Sequence, residues 1–382
     1  MDERSVNWLR NSLEKKFTIH QWRGIQFKEL DVNGFMSTIW LAYLDWDGDN
    51  LPNTVIIKKP KKIITVPALW KEQCNEFSDK LLTLLTKTES KVYNLFQSME
   101  PPIPLPHIYD NYEINNKNNA EIFLIMEDLS EYKVIDIAEG LNDEQIYAVT
   151  NAIAKFHAYS ITNNQWKSVG LGRYEKSEIE GMEKFSKIIQ IATSEVKKEN
   201  PKCFPKSDVL FRILLEFLGE DWYENYITKC NYEEVLSTLV HGDLWSANLL
   251  WCGNNLRAII DWQMAHCGSI TEDLLHLLST SVNVERRRKL TQSLLKYYYG
   301  MLKSLLDESS VEITFSFEDL MINYHETILI TAAKMMFATT LWSNSKVLCN
   351  GTSEVEARIQ EMFHRADSIT EDAIESYNIL KK

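Results

Sequence analysis

The stretch between Leu239 and Asp261 contains two polar side chains whose types and spacing suit phosphoryl transfer. Asp243 and Asn248 lie five residues apart on a turn that follows a short apolar strand. The Asp243 carboxylate can accept the proton of a hydroxyl group, and the Asn248 amide oxygen can bind a metal ion. The stretch therefore predicts an acid–base group beside a metal ligand.

A hairpin after this turn brings a second carboxylate to the same place. Asn248–Trp251 has the pattern of an outward strand, Cys252–Asn255 has the composition of a tight turn, and Leu256–Ile260 runs back. At about 3.3 Å per residue, arms of equal length return Asp261 to the level of Asn248. One amide oxygen and one carboxylate oxygen then converge on a single point, which suits Mg²⁺.

The same residue types also occur for purely structural reasons, because Asp, Asn and Gly favour turns and helix caps through local hydrogen bonds. His241, Asp243, Asp261 and His276 also suit a metal-dependent hydrolase, and a protein that binds nucleotide without catalysis is a further alternative. However, His-x-Asp, then Asn, then a hairpin that ends in Asp matches the catalytic and metal-binding segments of kinases. We therefore favour phosphoryl transfer, with ATP and Mg²⁺ as cofactors.

These motifs also resemble a known family. His241-Gly-Asp243, Asn248 and Asp261 are similar to the aminoglycoside phosphotransferase and choline kinase superfamily, and residues 241–281 most resemble its ecdysteroid kinase-like branch, often called CHK kinase-like. The resemblance implies an α+β, two-lobed protein kinase-like fold, with a small antiparallel-sheet N-lobe that contains one helix and a larger, mainly helical C-lobe. It implies a small-molecule hydroxyl as acceptor, with a steroid-like or other lipophilic alcohol favoured and choline or an aminoglycoside-like compound as alternatives.

The first third of the chain has the pattern of such an N-lobe. Thr38–Trp46 and Thr54–Lys58 are rich in residues that favour strands. Trp70–Ser98 has apolar residues close to helical spacing, and a run of prolines ends it. His107–Glu113 and Glu121–Met126 predict two further strands around a polar turn.

Beyond residue 128 the chain becomes helical in pattern, and we place the boundary between the lobes there. Residues 1–128 are predicted to form the nucleotide-binding N-lobe, and residues 129–382 the C-lobe with the catalytic hairpin and the acceptor-binding region. Asp143–Tyr159 is amphipathic with helical spacing. Residues from about 175 to 235 predict a helical insertion, and the chain after Asp273 predicts helices to the end.

Candidate phosphate-binding residues lie in the N-lobe. The segment from Gly34 to Ser37 resembles the phosphate loop of the family, although a single glycine between strands also forms an ordinary turn. Lys58 resembles the lysine that meets the α- and β-phosphates, because it follows an apolar run. Alternation directs Lys58 and Lys59 to opposite faces of a strand, and both also suit the solvated end of a strand.

The partner of Lys58 is predicted to be a helical glutamate. Glu89 is preferred because Glu89-x-x-x-Tyr93 is similar to a motif of the family, and Glu76 is the second choice. A long surface helix always carries spare acidic residues, so the pairing depends on the resemblance.

The resemblance also assigns an adenine site and two supporting residues. Met126 lies on a strand that looks like the kinase hinge, with backbone groups near Glu127 and Leu129 as hydrogen-bonding partners of adenine, although Met126 also suits the core. Asp273 matches a residue that braces the catalytic loop. His241 is predicted to orient the loop rather than to bind metal.

The distance from Asp261 to the predicted helix at Glu272 favours a small acceptor. It is too short for the activation segment that receives peptides in protein kinases. The acidic composition, with a net charge of −13, suits a cationic acceptor, whereas aromatic residues near the C-terminus suit a lipophilic one. The family analogy favours the second.

Composition excludes several classes of function. An acidic chain of 382 residues is unsuited to a broad nucleic-acid interface. The charged N-terminus lacks the apolar core of a signal peptide, and the apolar run Ile328–Trp342 is too short to span a bilayer and contains Lys334, so it predicts a buried helix. Six scattered cysteines suit a reducing compartment. We expect a cytoplasmic protein, and the sequence leaves its oligomeric state open.

Overall fold

A five-stranded antiparallel sheet forms most of the N-terminal third. The strands are β1 (Ile19–Leu30), β2 (Ser37–Gly48), β3 (Thr54–Pro60), β4 (Ile108–Asp110) and β5 (Leu124–Glu127). They lie in the order β1-β2-β3-β5-β4, and all neighbouring strands are antiparallel. The structure, a computed structural model, describes residues 3–30, 37–61, 68–97, 99–111, 124–172, 185–351 and 353–382.

Two helices cover opposite faces of this sheet because its strands alternate apolar residues between the faces. Helix α1 (Glu3–Glu14) packs Leu9 and Leu13 against one face. Helix α2 (Ala68–Leu95) packs Val92 on the other face, in the core that also contains Ile56. Lys58 is two residues beyond Ile56, so it lies on the side of α2.

The rest of the chain is mainly helical. Two small antiparallel sheets pair β6 with β8 and β9, and β7 with β10. The elements are β6 (Lys133–Val134), α3 (Asp143–Thr162), α4 (Gln165–Ser168), α5 (Phe185–Glu199), α6 (Ser207–Leu218), α7 (Trp222–Asn231), β7 (Ser237–Val240), β8 (Leu249–Cys252), β9 (Asn255–Ile259), β10 (His266–Ser269), α8 (Glu272–Ser281), α9 (Val284–Glu308), α10 (Phe317–Ser343) and α11 (Val355–Leu380).

Helix α10 is the centre of this part of the molecule. It begins at a capping box, in which Ser316 and Asp319 satisfy each other's backbone N–H groups. It packs against α11, α8 and α5, and Ile328, Leu329 and Ala332 are fully buried. The apolar run in its second half is therefore a core helix, as the sequence predicts. None of the described helices has both the length and the apolar character that a membrane span requires.

The predicted fold class is confirmed, with α1 as an additional helix before the sheet. The two strands predicted around residues 115–119 are described only as β4 and β5, and the turn between them lies outside the described residues. The described part of the predicted insertion contains α5, α6 and α7. The division of the chain at residue 128 stays a prediction.

Candidate active site

The β8–β9 hairpin places Asp261 beside Asn248. Leu249 pairs with Ile259, and the Ile260 N–H donates a 3.0 Å hydrogen bond to the Asn248 carbonyl. The chain reverses at a tight turn in which Gly253 has a φ of 61°, a conformation that glycine adopts without steric penalty. The hairpin predicted from the sequence is present, but Asn248 ends a short 3-10 helix (Ser246–Asn248) instead of beginning the strand. The predicted equal arms are wrong, because β8 has four residues and β9 has five, with a register shift between Leu250 and Trp251.

Asp273, the second residue of α8, holds the loop that carries Asp243 by two hydrogen bonds. The Asp273 carboxylate accepts the backbone N–H of His241 at 2.8 Å and that of Gly242 at 2.9 Å. Gly242 has a φ of 80°, and a Cβ at this position would lie 2.3 Å from the Met264 carbonyl oxygen. Asp273 therefore contacts the loop as the resemblance implies, and only glycine fits in the loop where it passes Met264.

The His241 ring joins the loop to the returning strand. Nε2 lies 3.0 Å from the Ile260 carbonyl, and Nδ1 lies 3.2 Å from the Asp243 backbone N–H. Nε2 donates to the carbonyl, and Nδ1 accepts from the N–H. Since both ring nitrogens have partners, neither is open to a metal ion in this arrangement.

The Asp243 carboxylate has a neighbour on each oxygen. Oδ1 lies 3.3 Å from His276 Nε2, and Oδ2 lies 3.3 Å from Asn248 Nδ2. Burial raises the pKa of Asp243, but His276, His241 and Lys334 together outweigh it, and the net shift is downward. The carboxylate is thus ionised at neutral pH, and 29% of its side chain is exposed.

Asn248 is oriented by the same loop. Its Nδ2 also donates a 2.8 Å hydrogen bond to the Asp243 carbonyl. Because the amide nitrogen is held there, the amide oxygen is the atom left for a cation. Asp261 follows with a left-handed backbone, φ 66° and ψ 57°, and 27% of its side chain exposed.

Lys58 connects the sheet, α2 and the hairpin. Its Nζ lies 2.8 Å from Glu89 Oε1 and forms a second ion pair with Asp261 Oδ1. Burial lowers the pKa of the buried ammonium, but Asp261 and Glu89 outweigh it and raise that pKa above its ordinary value. Lys58 is therefore charged, and Glu89 is the helical partner that the resemblance implies.

The predicted hinge residues lie on and after β5. Met126 is buried and pairs with Ile56. The Glu127 N–H donates to the His107 carbonyl at 2.9 Å, and the Glu127 carboxylate lies 3.1 Å from Arg257. Among the described residues the Leu129 N–H has no hydrogen-bond partner. The Glu127 N–H and carboxylate are thus already engaged, whereas the N–H of Leu129 is available.

An apolar shelf next to the hinge was not predicted. Leu250 and Ala258 pair across the hairpin and pack with Leu129 of the hinge and with Ile260. Leu250 lies two residues after Asn248, which ends a short 3-10 helix before β8 begins at Leu249. The apolar run from Leu249 to Trp251 does not indicate which of its side chains faces the hinge.

A charged cluster on the other side of Asp243 was also missed. Lys334 Nζ, from α10, lies 3.0 Å from Glu272 Oε1 and 3.4 Å from the Gly242 carbonyl. His266 Nε2 lies 3.5 Å from Glu272 Oε2. The signal in the sequence is a lysine within the apolar run Ile328–Trp342.

Two of the predicted residues, Gly34 and Glu76, are not fully described by the structure. Gly34 lies outside the described residues, and Ser37 is the buried first residue of β2, opposite Pro60. The side chain of Glu76 is likewise outside the described part of the chain.

The donor set fits a magnesium ion that shares its coordination with a phosphate. Within the described ranges, no three His, Cys, Asp or Glu side chains form a metal-binding group. Mg²⁺ is often held by one or two protein oxygens together with substrate phosphates and water. The Asn248 amide and the partly exposed Asp261 carboxylate are the two groups that would supply those oxygens.

The fold and this arrangement define the class of two-lobed kinase-like proteins. The chain belongs to the DUF1679 family, whose model, described as "Uncharacterized oxidoreductase dhs-27", matches residues 10–381. Two Caenorhabditis elegans proteins are similar. The "Uncharacterized oxidoreductase dhs-27" is 24% identical over 88% of this chain and 42% of its own length, so the chain spans less than half of it. The "Uncharacterized kinase-like protein D1044.1" is 24% identical over 85% of both chains.

Solved structures share the fold. A choline kinase from Cryptosporidium parvum Iowa II superposes with a TM-score of 0.52 and 12% identity, over 99% of this chain and 96% of that one. A protein assigned to the aminoglycoside phosphotransferases, from Ralstonia eutropha JMP134, gives 0.51 and 15% identity over 98% of both chains. At these identities the likeness concerns the fold alone.

Proposed function

We propose that the protein transfers the γ-phosphoryl group of ATP to a hydroxyl group of a small organic molecule. The observation that carries the proposal is the continuous set of contacts from Glu89 through Lys58 to Asp261, next to Asn248 and Asp243. Phosphoryl transfer depends on positioning and on neutralising charge, and these residues provide a buried cation, two oxygen ligands and a base.

In the proposed reaction, the acceptor oxygen attacks the γ-phosphorus. The bond between this phosphorus and the β–γ bridging oxygen breaks, and ADP leaves with the electron pair. The proton of the acceptor hydroxyl passes to the Asp243 carboxylate, which is ionised and partly exposed. His276 and Asn248 hold the two oxygens of that carboxylate in place.

Asn248 and Asp261 are the proposed magnesium ligands. Bound magnesium would neutralise the charge of the β- and γ-phosphates. Lys58 is proposed to meet the α- and β-phosphates, and Glu89 keeps its ammonium in position.

Adenine is proposed to bind between the sheet and the apolar shelf. Met126 and Leu250 provide its walls, and the Leu129 N–H is the hydrogen-bond donor. The phosphate loop is proposed to include Gly34 and Ser37.

A small acceptor is favoured by the chain that follows Asp261. A short 3-10 helix (Trp262–Met264) leads directly into β10, which pairs with β7 and ends before α8 begins at Glu272. This leaves no segment that could serve as a platform for a peptide. We further propose that the protein belongs with the CHK or ecdysteroid kinase-like branch. Its free cysteines suit the reducing cytoplasm that we propose as its location.

Three rival functions have less support. The hydrolase alternative uses His241 as a metal ligand, yet both its ring nitrogens are engaged. An oxidoreductase with a dinucleotide-binding fold requires a mostly parallel sheet, whereas the sheets in the described residues are antiparallel. A nucleotide-binding protein without activity has no need for an oriented base beside the metal ligands.

The experiment is a screen of metabolite extracts. The purified chain is incubated with an extract, Mg²⁺ and γ-labelled ATP, and the products are separated and identified by mass spectrometry. We expect an organic product that has gained one phosphate. Binding of ATP by calorimetry without transfer to any acceptor would instead favour the non-catalytic alternative.

A further inference from the structure

The side of Asp243 that faces α10 carries a buried lysine that the proposed reaction does not use. Lys334 is 16% exposed, and its ammonium contacts the carbonyl of Gly242, the residue before Asp243. An ammonium has three N–H donors, and in the described part of the chain it bonds two acceptors, Glu272 and Gly242. Lys334 thus places a positive charge next to the base.

The Glu272 carboxylate does not fully compensate the positive charge of Lys334. Glu272 is its partner at 3.0 Å, but Glu272 also faces His266 Nε2 at 3.5 Å, and His266 Nδ1 lies 2.8 Å from the Met264 carbonyl. Both ring nitrogens therefore face oxygens, which favours the imidazolium form. Burial opposes that form, but Glu272 outweighs it and raises the pKa of His266. Lys334 and His266 then share the Glu272 carboxylate, and the nearby Asp243 carboxylate is the second anion that Lys334 attracts.

Two aromatic residues follow Lys334 along α10. Phe337 is one turn after Lys334 and packs against Phe185, with ring centroids 5.2 Å apart. Trp342, two turns after Lys334, stacks on Trp245 at 5.0 Å, and Trp245 is two residues after Asp243. Helix α10 therefore contacts the loop that carries Asp243 through Lys334 and through the stacked pair of Trp342 and Trp245.

We propose that Lys334 is a specificity-determining residue that selects acceptor alcohols without a positive charge. This inference rests on the proposed function and narrows its substrate class. A cationic group beside Lys334 would meet a like charge in a partly buried site, which disfavours binding. A neutral alcohol with an apolar body, or an alcohol that carries a carboxylate or phosphate, suits the same surface. The net negative charge of the whole chain therefore does not predict the charge of the preferred acceptor.

The test begins with the charge of the accepted alcohol. A metabolite extract is separated at neutral pH by ion exchange into cationic, neutral and anionic fractions, and each is incubated with the full chain, Mg²⁺ and γ-labelled ATP. We expect labelled organic product from the neutral or anionic fraction. Product from the cationic fraction at comparable or higher yield overturns the inference alone, whereas no product in any fraction contradicts the proposed function and the inference together.

Variants of Lys334 then test the residue itself. With one alcohol from the productive fraction and one from the cationic fraction, Lys334→Met should lower the preference for the productive alcohol, measured as the ratio of the two kcat/KM values, about 10- to 100-fold, since the like charge that opposes the cation is lost. The KM for ATP should change less than twofold. Lys334→Arg should keep the charge and most of the activity, and Lys303→Met, at an exposed lysine of α9, is the matched control.

A purely structural role gives a different pattern. In that case Lys334→Met would raise both KM values together with a lower melting temperature, or leave acceptor kinetics unchanged, and Lys334→Arg would not restore discrimination. Either result overturns the assignment of Lys334. If Lys334→Met does not fold, loss of discrimination against the cationic fraction in Glu272→Gln, which leaves Lys334 in place, would overturn it as well.

Discussion

Asp261 lies where three parts of the molecule meet. Its Oδ1 pairs with Lys58 from β3, and its Oδ2 lies 3.4 Å from Gln263 Nε2. Its backbone takes a left-handed conformation, which is uncommon outside glycine and is a form of local strain. Such strain is retained where the surrounding contacts determine the geometry, and here they direct the carboxylate toward Lys58.

Replacement of Asp261 tests this geometry. Asp261→Ala removes one of the two proposed magnesium ligands and leaves Lys58 paired with Glu89. We expect the magnesium-dependent part of ATP affinity to fall at least about tenfold. Calorimetric titrations of wild type and variant with and without magnesium measure this part, and the magnesium-free titrations serve as the control. Equal affinities of the two proteins in magnesium would show that Asp261 is not a ligand.

The residues of the hairpin could be predicted because the chain itself brings them together. Asn248 and Asp261 lie at the two ends of the β8–β9 hairpin, so spacing indicated their proximity, although the arms are unequal and the register shifts between Leu250 and Trp251. Glu89 required the resemblance, since its contact with Lys58 crosses 31 residues. Lys334 was missed because its neighbour Gly242 is 92 residues away, and only the packing of α10 brings the two together.

At the scale of elements, the loop before Asp243 and the hairpin turn each contain a glycine with positive φ. Gly242 has a φ of 80° and no room for a Cβ, whereas Gly253 has a φ of 61° and open space around it. A substitution at Gly253 would therefore cost stability only through the backbone conformation, whereas one at Gly242 would add a steric clash.

Alanine at each glycine gives a matched comparison. Gly253→Ala should lower the free energy of unfolding by about 1 kcal/mol, the cost of a left-handed L-residue. Gly242→Ala should cost about 2–4 kcal/mol, because the new Cβ would displace the loop from Met264. Turnover should fall about 100-fold in the second variant only, as expected for a base moved by about 1 Å. Urea denaturation and kinetics measure both, and equal effects would contradict the packing described for Gly242.

Elements with strong periodicity were predictable, and elements that depend on tertiary contacts were less so. Helices α2 and α3 agree with their predicted positions within three residues at each end. Helix α1 was not predicted. Its apolar residues Leu9 and Leu13 are buried only by contact with the sheet, so the helix depends on tertiary packing. Strands β4 and β5, predicted within His107–Glu113 and Glu121–Met126, are described as Ile108–Asp110 and Leu124–Glu127.

At the scale of the whole molecule, α11 contacts chain segments that precede and follow the candidate site in the sequence. Arg365 donates to the carbonyls of Ile137, Ala138 and Thr280. Arg358 pairs with Asp136 at 2.6 Å. The C-terminal helix thus ties the segment after the hinge to the end of α8, the helix that carries Asp273.

The same helix contains a carboxylate with an elevated pKa. Asp367 is half-buried, and its Oδ1 has no hydrogen-bond partner among the described residues. Burial, reinforced by Glu371, raises its pKa from 3.8 to about 6. The folded state therefore binds more protons than the unfolded state between these values, and stability falls as the pH rises through that window.

Removal of this charge should stabilise the protein at neutral pH. We expect Asp367→Asn to increase the free energy of unfolding at pH 7.5 by about 1 kcal/mol, after allowance for solvent screening of a half-exposed group. The gain should disappear toward pH 4, where the wild-type side chain is neutral. Urea denaturation at several pH values tests this, with Asp47→Asn at an exposed position as the control. A gain that does not depend on pH would contradict the assignment.

The central claim is that Asp243 accepts the proton of an acceptor hydroxyl during transfer from ATP. The most direct measurement compares Asp243→Asn with the wild type, using an acceptor from the metabolite screen, and determines both ATP affinity and the rate of phosphate transfer. We predict unchanged affinity for ATP in magnesium and a rate about 10²–10⁴-fold lower. Transfer by the variant at the wild-type rate would contradict the account.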